Sequence, residues 1–314
     1  MPTTPGYLEA LTIRLATGAS RLPEETRSRH AEYLKAAQQP DGGFKGRLGT
    51  SNLYYTSFAI RSLAILGELY GEVAERTAAY LRSRLSCRDA VVDRISLVFG
   101  AAMLDVAAGI DVFAEWSGHW RDSLATELAG LRRADGGFAK TPQGAAGSTY
   151  QTFLAVLCLQ LMDRPVADPE GIVRFVHSQR AGQGGGFREI RAGKRGGTNP
   201  TAAAIGILKT FNALDGELVA STAGFLADLQ DDDGGLLAHS RIPTADALST
   251  FTGAATLADL GRLDVLDIPS ALRFTRSVER PSGGFLAAAW DDVCDVEYTF
   301  YGLGSLALLT PTAS

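Results

Sequence analysis

Cysteine, tryptophan and histidine are scarce: 3, 3 and 4 residues among 314. Cys87, Cys158 and Cys294 are odd in number and share no CxxC spacing, which excludes a disulfide framework and a cysteine zinc cluster. They read as reduced thiols, and a cytoplasmic protein is expected. Long apolar runs are also missing. No stretch of about 18 strongly apolar residues occurs, so no membrane span is expected. The tail "TFYGLGSLALLTPTAS" is too short and too polar at its end. The start "MPTTPGYLEALTIRLATGAS" has no basic opening and no unbroken apolar run, and does not read as a signal peptide. Excess positive charge is absent: the net charge is −5 and the pI is near 5.5. A nucleic-acid partner is therefore not expected. No Ser-His-Asp pattern, P-loop or GxGxxG after a strand appears. Apolar residues make up 46% of the chain, enough to bury a large core.

Glycine, by contrast, is plentiful and patterned. The phrases "QQPDGGFKG", "RADGGFAK", "GQGGGFRE", "QDDDGGLLAH" and "ERPSGGFLAA" share a glycine pair followed by a bulky apolar residue. Those residues are Phe44, Phe138, Phe187, Leu236 and Phe285, with gaps of 94, 49, 49 and 49. Such a period signals a repeat architecture, with one glycine turn lost inside the first gap. Asp233 of the "DDD" run occupies the slot of Asp41 and Asp135 and so belongs to a turn.

A second ladder runs beside the first. Thr56, Thr152, Thr201, Thr250 and Thr299 are spaced 96, 49, 49 and 49. Small or apolar residues follow each at offsets 3, 4 and 7, which marks one face of a helix. Leu97 completes the column, with Gly100, Ala101 and Leu104 at the same offsets. "RSRLSCRDAV" stands where its glycine turn would be. Four residues before the column lie Asn52, Asp93, Ser148, Gly197, Asp246 and Asp295, the expected N-caps. In the fourth unit, Asn199 before Pro200 suggests a helix start two residues later.

Charged amphipathic stretches precede the turns: 23–38, 71–86, 112–131, 168–179, 215–230 and 268–278. Six inner and six outer helices thus alternate. No polar cap is seen at either end, and six units can close on themselves. The reading is one all-α domain over 1–314, an (α/α)6 toroid whose repeats cover about 20–309.

The "QxxDGGF" phrase, followed by a helix starting near "xYTxxxxL", resembles the prenyltransferase and squalene-cyclase repeat. It resembles the β subunits of protein prenyltransferases and the class II terpene cyclases. The resemblance covers about 20–309 and implies the toroid fold and an isoprenoid substrate. In the protein prenyltransferases it implies zinc, held at positions that match Asp246, Leu248 and Tyr298 here. Only the Asp is retained, so no zinc is expected, and thiol prenylation is not favoured. Class II cyclases carry DxDD followed by Thr. Here "DVEYT" places Asp295, Glu297 and Tyr298 against that pattern, with Glu297 at the position of the acid. A histidine before a glycine pair and basic residues ahead of the fifth inner helix bind diphosphate in the prenyltransferases. The matching features here are Arg195 before Gly196-Gly197, and His239 and Arg241.

Each candidate has a plainer reading beside the functional one. Asp295 and Asp246 fall in the cap column. Glu297 shares a column with Tyr54, Ile95, Tyr150, Asn199 and Leu248, where nothing in the repeat requires a carboxylate. It is either an acid favoured by the helix dipole or a cavity-facing general acid with a raised pKa. The aromatics Tyr54, Tyr150 and Tyr298 either pack the core or line an isoprenoid cavity. Arg188, Lys194 and Arg195, with His239 and Arg241, are a solvated basic loop or a diphosphate grip. His30, His119 and His177 read as surface or packing residues.

The first expectation is a metal-free class II-like terpene cyclase, with Glu297 as acid assisted by Asp295. The second is a prenyltransferase-like enzyme, which would need an allylic diphosphate and perhaps magnesium. A non-catalytic toroid that binds a lipid or protein, and a glycosidase, are the remaining classes. A partner subunit is left open.

Overall fold

The computed structural model describes residues 5–85, 91–114, 116, 119–182 and 185–311. Cys87 and half of the segment replacing the second glycine turn, residues 86–90 of 82–91, lie outside them. Among the described residues the chain is helical, with only isolated bridges and no strand.

The inner helices are α3 (Leu53–Leu66), α5 (Val91–Ala108), α7 (Thr149–Leu161), α9 (Thr198–Thr210), α11 (Ala247–Asp259) and α13 (Val296–Leu309). The outer ones are α2 (Glu24–Ala36), α4 (Gly71–Arg84), α6 (Trp120–Gly130), α8 (Pro169–Ser178), α10 (Gly216–Ala227) and α12 (Ile268–Ser277). α6 starts later than the pattern from Val112 suggested. The sequence reading missed α1 (Tyr7–Ala19). Its Leu8, Leu11 and Leu15 are helically spaced, but it carries neither ladder. Gly18 lets it dock on α13: a Cβ there would lie 2.1 Å from the Ala307 carbonyl oxygen.

The chain divides into two compact units, one of residues 1–7 and 121–276, the other of 8–120 and 277–314. In the first, α7 packs on α9 and α9 on α11, backed by α8 and α10. In the second, α13 packs on α3 and α3 on α5, backed by α2 and α4.

One hydrogen bond joins the two sequence ladders. The backbone N–H of Phe44, Phe138, Phe187 and Leu236 donates to Thr56, Thr152, Thr201 and Thr250 Oγ1, each at 2.9 Å. Phe285 does so to Thr299 at 3.3 Å. The hydroxyls of Thr152, Thr250 and Thr299 then donate to the carbonyls of Ser148, Asp246 and Asp295 at 2.7, 2.8 and 2.6 Å. All five threonines are buried, and in these three both hydroxyl functions are satisfied inside the protein. Glycine is needed just before this contact. Gly42, Gly136, Gly234 and Gly283 have φ between 85° and 93°. A Cβ on them would lie 2.2–2.7 Å from a carbonyl oxygen of Arg76, Gly171, Ser270 and Arg29 respectively. Each turn therefore docks on the next outer helix. The sixth docks on α2, so the order returns from the last repeat to the first.

The caps follow the expected column with two corrections. Asn52, Ser148, Asp246 and Asp295 each accept the N–H three residues on. α5 begins at Val91, which puts Asp93 in the first turn instead of at the cap. There the helix dipole still favours it. α9 starts at Thr198, not after Asn199. Thr198 N–H donates to the Ala238 carbonyl at 2.9 Å, so the neighbouring loop supplies the cap, and Pro200 sits in the first turn where no N–H is needed.

Thr250→Val keeps shape but strands the buried Leu236 N–H. It is expected to cost ~1–3 kcal/mol, whereas Thr250→Ser should cost less. Urea midpoints of the three proteins test this; a valine variant as stable as the parent would contradict it.

Candidate functional site

The N-terminus of α13 gathers the candidate chemistry. Asp295 is the cap, accepting Tyr298 N–H at 2.9 Å. Glu297 follows in the first turn, half-buried. Its Oε1 accepts the Tyr54 hydroxyl from α3 at 2.6 Å and the Tyr301 hydroxyl from one turn on at 3.3 Å. Both tyrosines belong to a cluster of aromatic rings. Tyr54 meets Tyr55 and Phe58 at centroid distances of 5.2 and 5.0 Å, and Phe58 meets Phe300 and Tyr301 at 5.7 and 5.3 Å. Most contacts are edge-on, the favoured geometry for ring quadrupoles. Burial raises the Glu297 pKa, and the charge of Asp295 adds to it. The tyrosine hydrogen bonds and Arg47 oppose that rise without cancelling it.

Arg47, which the sequence reading missed, organises the other carboxylates. Its Nη1 donates to Asp291 Oδ1 at 2.9 Å, its Nη2 to Asp291 Oδ2, and its Nε to Asp295 Oδ2 at 3.0 Å. The Asp291 and Asp295 side chains are only 3% and 4% exposed. Burial pushes the Asp291 carboxyl up, but Arg47 and the Ala287 and Val293 N–H groups outweigh it and hold it low. The hydrogen bond to Asp291 raises the Arg47 guanidinium further above its ordinary value. The guanidinium also lies 5.4 Å from the Tyr298 ring centroid. Arg47 sits in a loop in which the Asn52 cap follows Phe44 by eight positions; in the other four loops the offset is ten, as from Phe285 to Asp295. The odd loop length was the available signal.

Four predicted residues, Glu297, Asp295, Tyr54 and Tyr298, thus form one cluster in the 8–120 and 277–314 unit. Arg188, Lys194, Arg195, Tyr150, His239 and Arg241 lie in the other unit. Arg188 latches its loop: its guanidinium donates to carbonyls of Ser178 and Gln179 at 2.8 and 3.2 Å. Lys194, Arg195 and Arg241 are exposed. His239 Nδ1 accepts Arg241 N–H at 3.2 Å. Tyr150 is exposed; an open depression in the same unit is lined by Ala146, Ile190, Arg191 and Ala192. His30 is a packing residue: fully buried, it accepts Gly284 N–H at Nδ1 and stacks on Phe285.

The zinc positions do not fit a metal. Both Asp246 oxygens are engaged, by Ser249 N–H at 2.7 Å and Ser249 Oγ at 2.8 Å. Leu248 offers no donor atom, and Tyr298 offers a phenol in place of an imidazole. Burial raises the Cys294 thiol, which makes it a poorer ligand. Among the described residues no group of three or more His, Cys, Asp or Glu is arranged so that it could hold a metal ion.

Glycine turns, capped inner helices and charged outer helices define an α/α repeat protein of the toroid class. The chain belongs to the prenyltransferase alpha-alpha toroid domain family, whose model matches residues 7–101 and 102–313. No curated protein matches it significantly. Among solved structures it is similar to the Candida albicans protein geranylgeranyltransferase-I complexed with GGPP, at 16% identity and a TM-score of 0.71, over 90% of each chain. It is similar to a type II terpene cyclase from Scytonema in complex with geranylgeranyl dihydroxybenzoate, at 12% identity and a TM-score of 0.60, over 96% of this chain and 98% of that one. An α-1,6-mannanase from Salegentibacter shows 11% identity and a TM-score of 0.62, over 90% and 98%. At these identities the likeness concerns the fold. Among the described residues no helix is long and apolar enough to cross a membrane.

Two predictions follow the electrostatics. Arg47→Gln leaves two nearly buried carboxylates without their counterion. A loss of ~1–3 kcal/mol is expected at pH 7, below the value for a fully buried pair because Arg47 is partly solvated. The loss should shrink at low pH: Arg47 holds the Asp291 carboxyl low in the parent, and without it Asp291 takes up a proton more readily. Thermal melts at pH 7 and at low pH test this; a deficit that grows on acidification would refute it. Glu297 has the opposite sign. Its folded pKa lies above the unfolded one, so stability falls as pH rises from the unfolded value through the folded one. Glu297→Gln should raise Tm more at pH 8 than at pH 4, and equal shifts would argue against a raised pKa.

Proposed function

We propose that this chain acts on isoprenoids as a class II-like terpene cyclase, with Glu297 as the proton donor. The observation that carries this reading is the Glu297 carboxyl itself. It is half-buried, held by the hydroxyls of two tyrosines that belong to an aromatic cluster, and pushed toward its protonated form by burial and by Asp295. A general acid needs that protonation state near neutral pH. Two carboxyls whose surroundings differ this much are the usual basis for assigning acid and support roles. Here Asp295 is the support, in an ion pair with Arg47.

In the proposed reaction the Glu297 proton adds to a terminal alkene carbon. The other alkene carbon becomes cationic. An internal alkene attacks it, and a ring C–C bond forms. Loss of one carbon-bound proton ends the sequence, so the substrate is isomerised and Glu297 is reprotonated from solvent. The ring faces of Tyr54, Phe58, Phe300 and Tyr301 suit a passing carbocation. Two neighbours of the same fold were solved with isoprenoid ligands, GGPP and geranylgeranyl dihydroxybenzoate, which supports the substrate class. The transferase reading draws on the exposed Lys194, Arg195 and Arg241, which suit a diphosphate. It lacks an equivalent for the buried acid.

Glu297→Gln keeps both tyrosine hydrogen bonds but cannot donate a strong acid's proton. Turnover of a geranylgeranyl substrate, followed by product mass spectrometry, should fall at least ~10²-fold. Asp295→Asn still caps α13, so it should fold and lose activity through a changed acid. Full turnover by the Glu297→Gln protein would end the cyclase reading.

A further inference from the structure

The unit of residues 1–7 and 121–276 carries a charge pattern that its repeats do not explain. Three loops in it, 139–147, 188–196 and 237–245, lead from a glycine turn to an inner helix. Together they hold six Lys or Arg and one acidic residue, whereas acidic residues outnumber basic ones in the whole chain, 35 to 30. Lys140, Arg191, Lys194, Arg195 and Arg241 are exposed. The one acid, Glu189, is engaged at the start of α7, where its carboxylate accepts Ser148 Oγ and the Tyr150 N–H.

Apolar exposure gathers at the same end. Among its described residues this unit exposes three large apolar side chains, Tyr150, Ile190 and Ile242. All three lie on these loops or in the first turn of α7. Ile190 adjoins Arg191, and Ile242 adjoins Arg241. Backbone contacts join the loops into one rim. The Thr149 N–H at the start of α7 donates to the Glu189 carbonyl, and the Thr198 N–H at the start of α9 to the Ala238 carbonyl, each at 2.9 Å. Two of the loops thus rest on the inner helix of the repeat before them. An open depression is lined by Ala146 of one loop and by Ile190, Arg191 and Ala192 of the next.

The mixture narrows the partner. A purely solvated basic loop needs no exposed isoleucine. The core of a protein interface is depleted in charge, lysine above all. A soluble anion would need the cations to converge, yet Arg188 spends its donors on backbone carbonyls. Cations beside apolar tips suit a surface that is anionic outside and apolar just beneath.

We infer that this rim docks on the anionic face of a lipid bilayer, with Ile190 and Ile242 entering the head-group region and the loop cations meeting lipid phosphates and carboxylates. The inference goes beyond the proposed reaction and does not depend on Glu297, although a chain acting on isoprenoids would meet its substrate there.

Cosedimentation with sucrose-loaded vesicles tests it, using phosphatidylcholine alone or with one-third phosphatidylserine. The parent should partition at least ~10-fold more strongly onto the anionic vesicles, and a rise in salt from about 0.1 M to about 0.5 M should weaken this. The triple variant Lys194→Gln, Arg195→Gln, Arg241→Gln should lose about 10²-fold, at about fivefold per charge. Ile190→Ser with Ile242→Ser should lose about tenfold. A charge-matched control, Arg27→Gln, Arg174→Gln, Arg262→Gln, should stay within about threefold of the parent. Every substituted loop side chain is exposed, and circular dichroism checks that each variant folds. A parent without preference for anionic vesicles overturns the inference whatever the variants do. So would a control that loses as much as the loop triple, or serine variants that bind like the parent. Tighter binding to polyglutamate than to anionic vesicles, at equal accessible charge, would assign the rim to an acidic protein instead. Saturable binding of inorganic diphosphate that releases the protein from vesicles would assign it to a soluble anion. Glu297→Gln should bind vesicles like the parent, so a failure of the cyclase reading would leave this result untouched.

Discussion

The contact on which the repeats depend is the hydrogen bond from the residue after the glycine pair to the threonine of the next inner helix. It ties a turn that has no secondary structure of its own to the helix that follows. At Thr152, Thr250 and Thr299 the hydroxyl accepts from the turn and donates to the cap carbonyl at once. A valine would fit the space and fail both tasks. The second repeat supports this reading: it has lost its glycine pair, and Leu97 stands in its threonine column. With no such turn to hold, a hydroxyl there would be a buried polar group without that purpose, and leucine is the better filler.

This constraint explains which features the sequence disclosed. Glycine pairs, threonines and caps recur because backbone geometry demands them at each repeat. Five glycine turns and six inner helices were therefore legible from spacing alone. α1 was not, because it docks through a single close approach at Gly18 and repeats nothing. The start of α9 was misplaced because its cap comes from Ala238, a backbone atom of another loop, and no side-chain pattern records that. Arg47 was hidden for a related reason. Its partners, Asp291 and Asp295, lie 244 and 248 residues away, and a non-repeating pair leaves no period.

The site residues followed the same division. Glu297 stood out because it broke a column, and its hydroxyl partners then gave it a physical setting. Arg188 looked like an anion ligand by residue type, yet its donors hold backbone carbonyls. Asp295 shows that the plain and the functional readings need not compete. It caps α13 through Oδ1 and pairs with Arg47 through Oδ2, and its charge still acts on Glu297 two residues away.

The column that holds Glu297 also suggests why one scaffold suits different chemistries. Tyr54, Tyr150, Asn199, Leu248 and Glu297 all retain solvent access, while the threonines two positions later are buried. Ile95 is the buried exception, in the repeat without a glycine turn. Folding therefore fixes the threonine and leaves the accessible position almost unconstrained. A change there costs little stability, since a helix first-turn charge is worth only ~0.3–1 kcal/mol. Proteins can then keep the architecture while their identity falls to 11–16% and their activities part. In this chain the freedom has been used once for a carboxyl; burial and the charge of Asp295 make it hold its proton more tightly, and the two tyrosines and Arg47 moderate that rise.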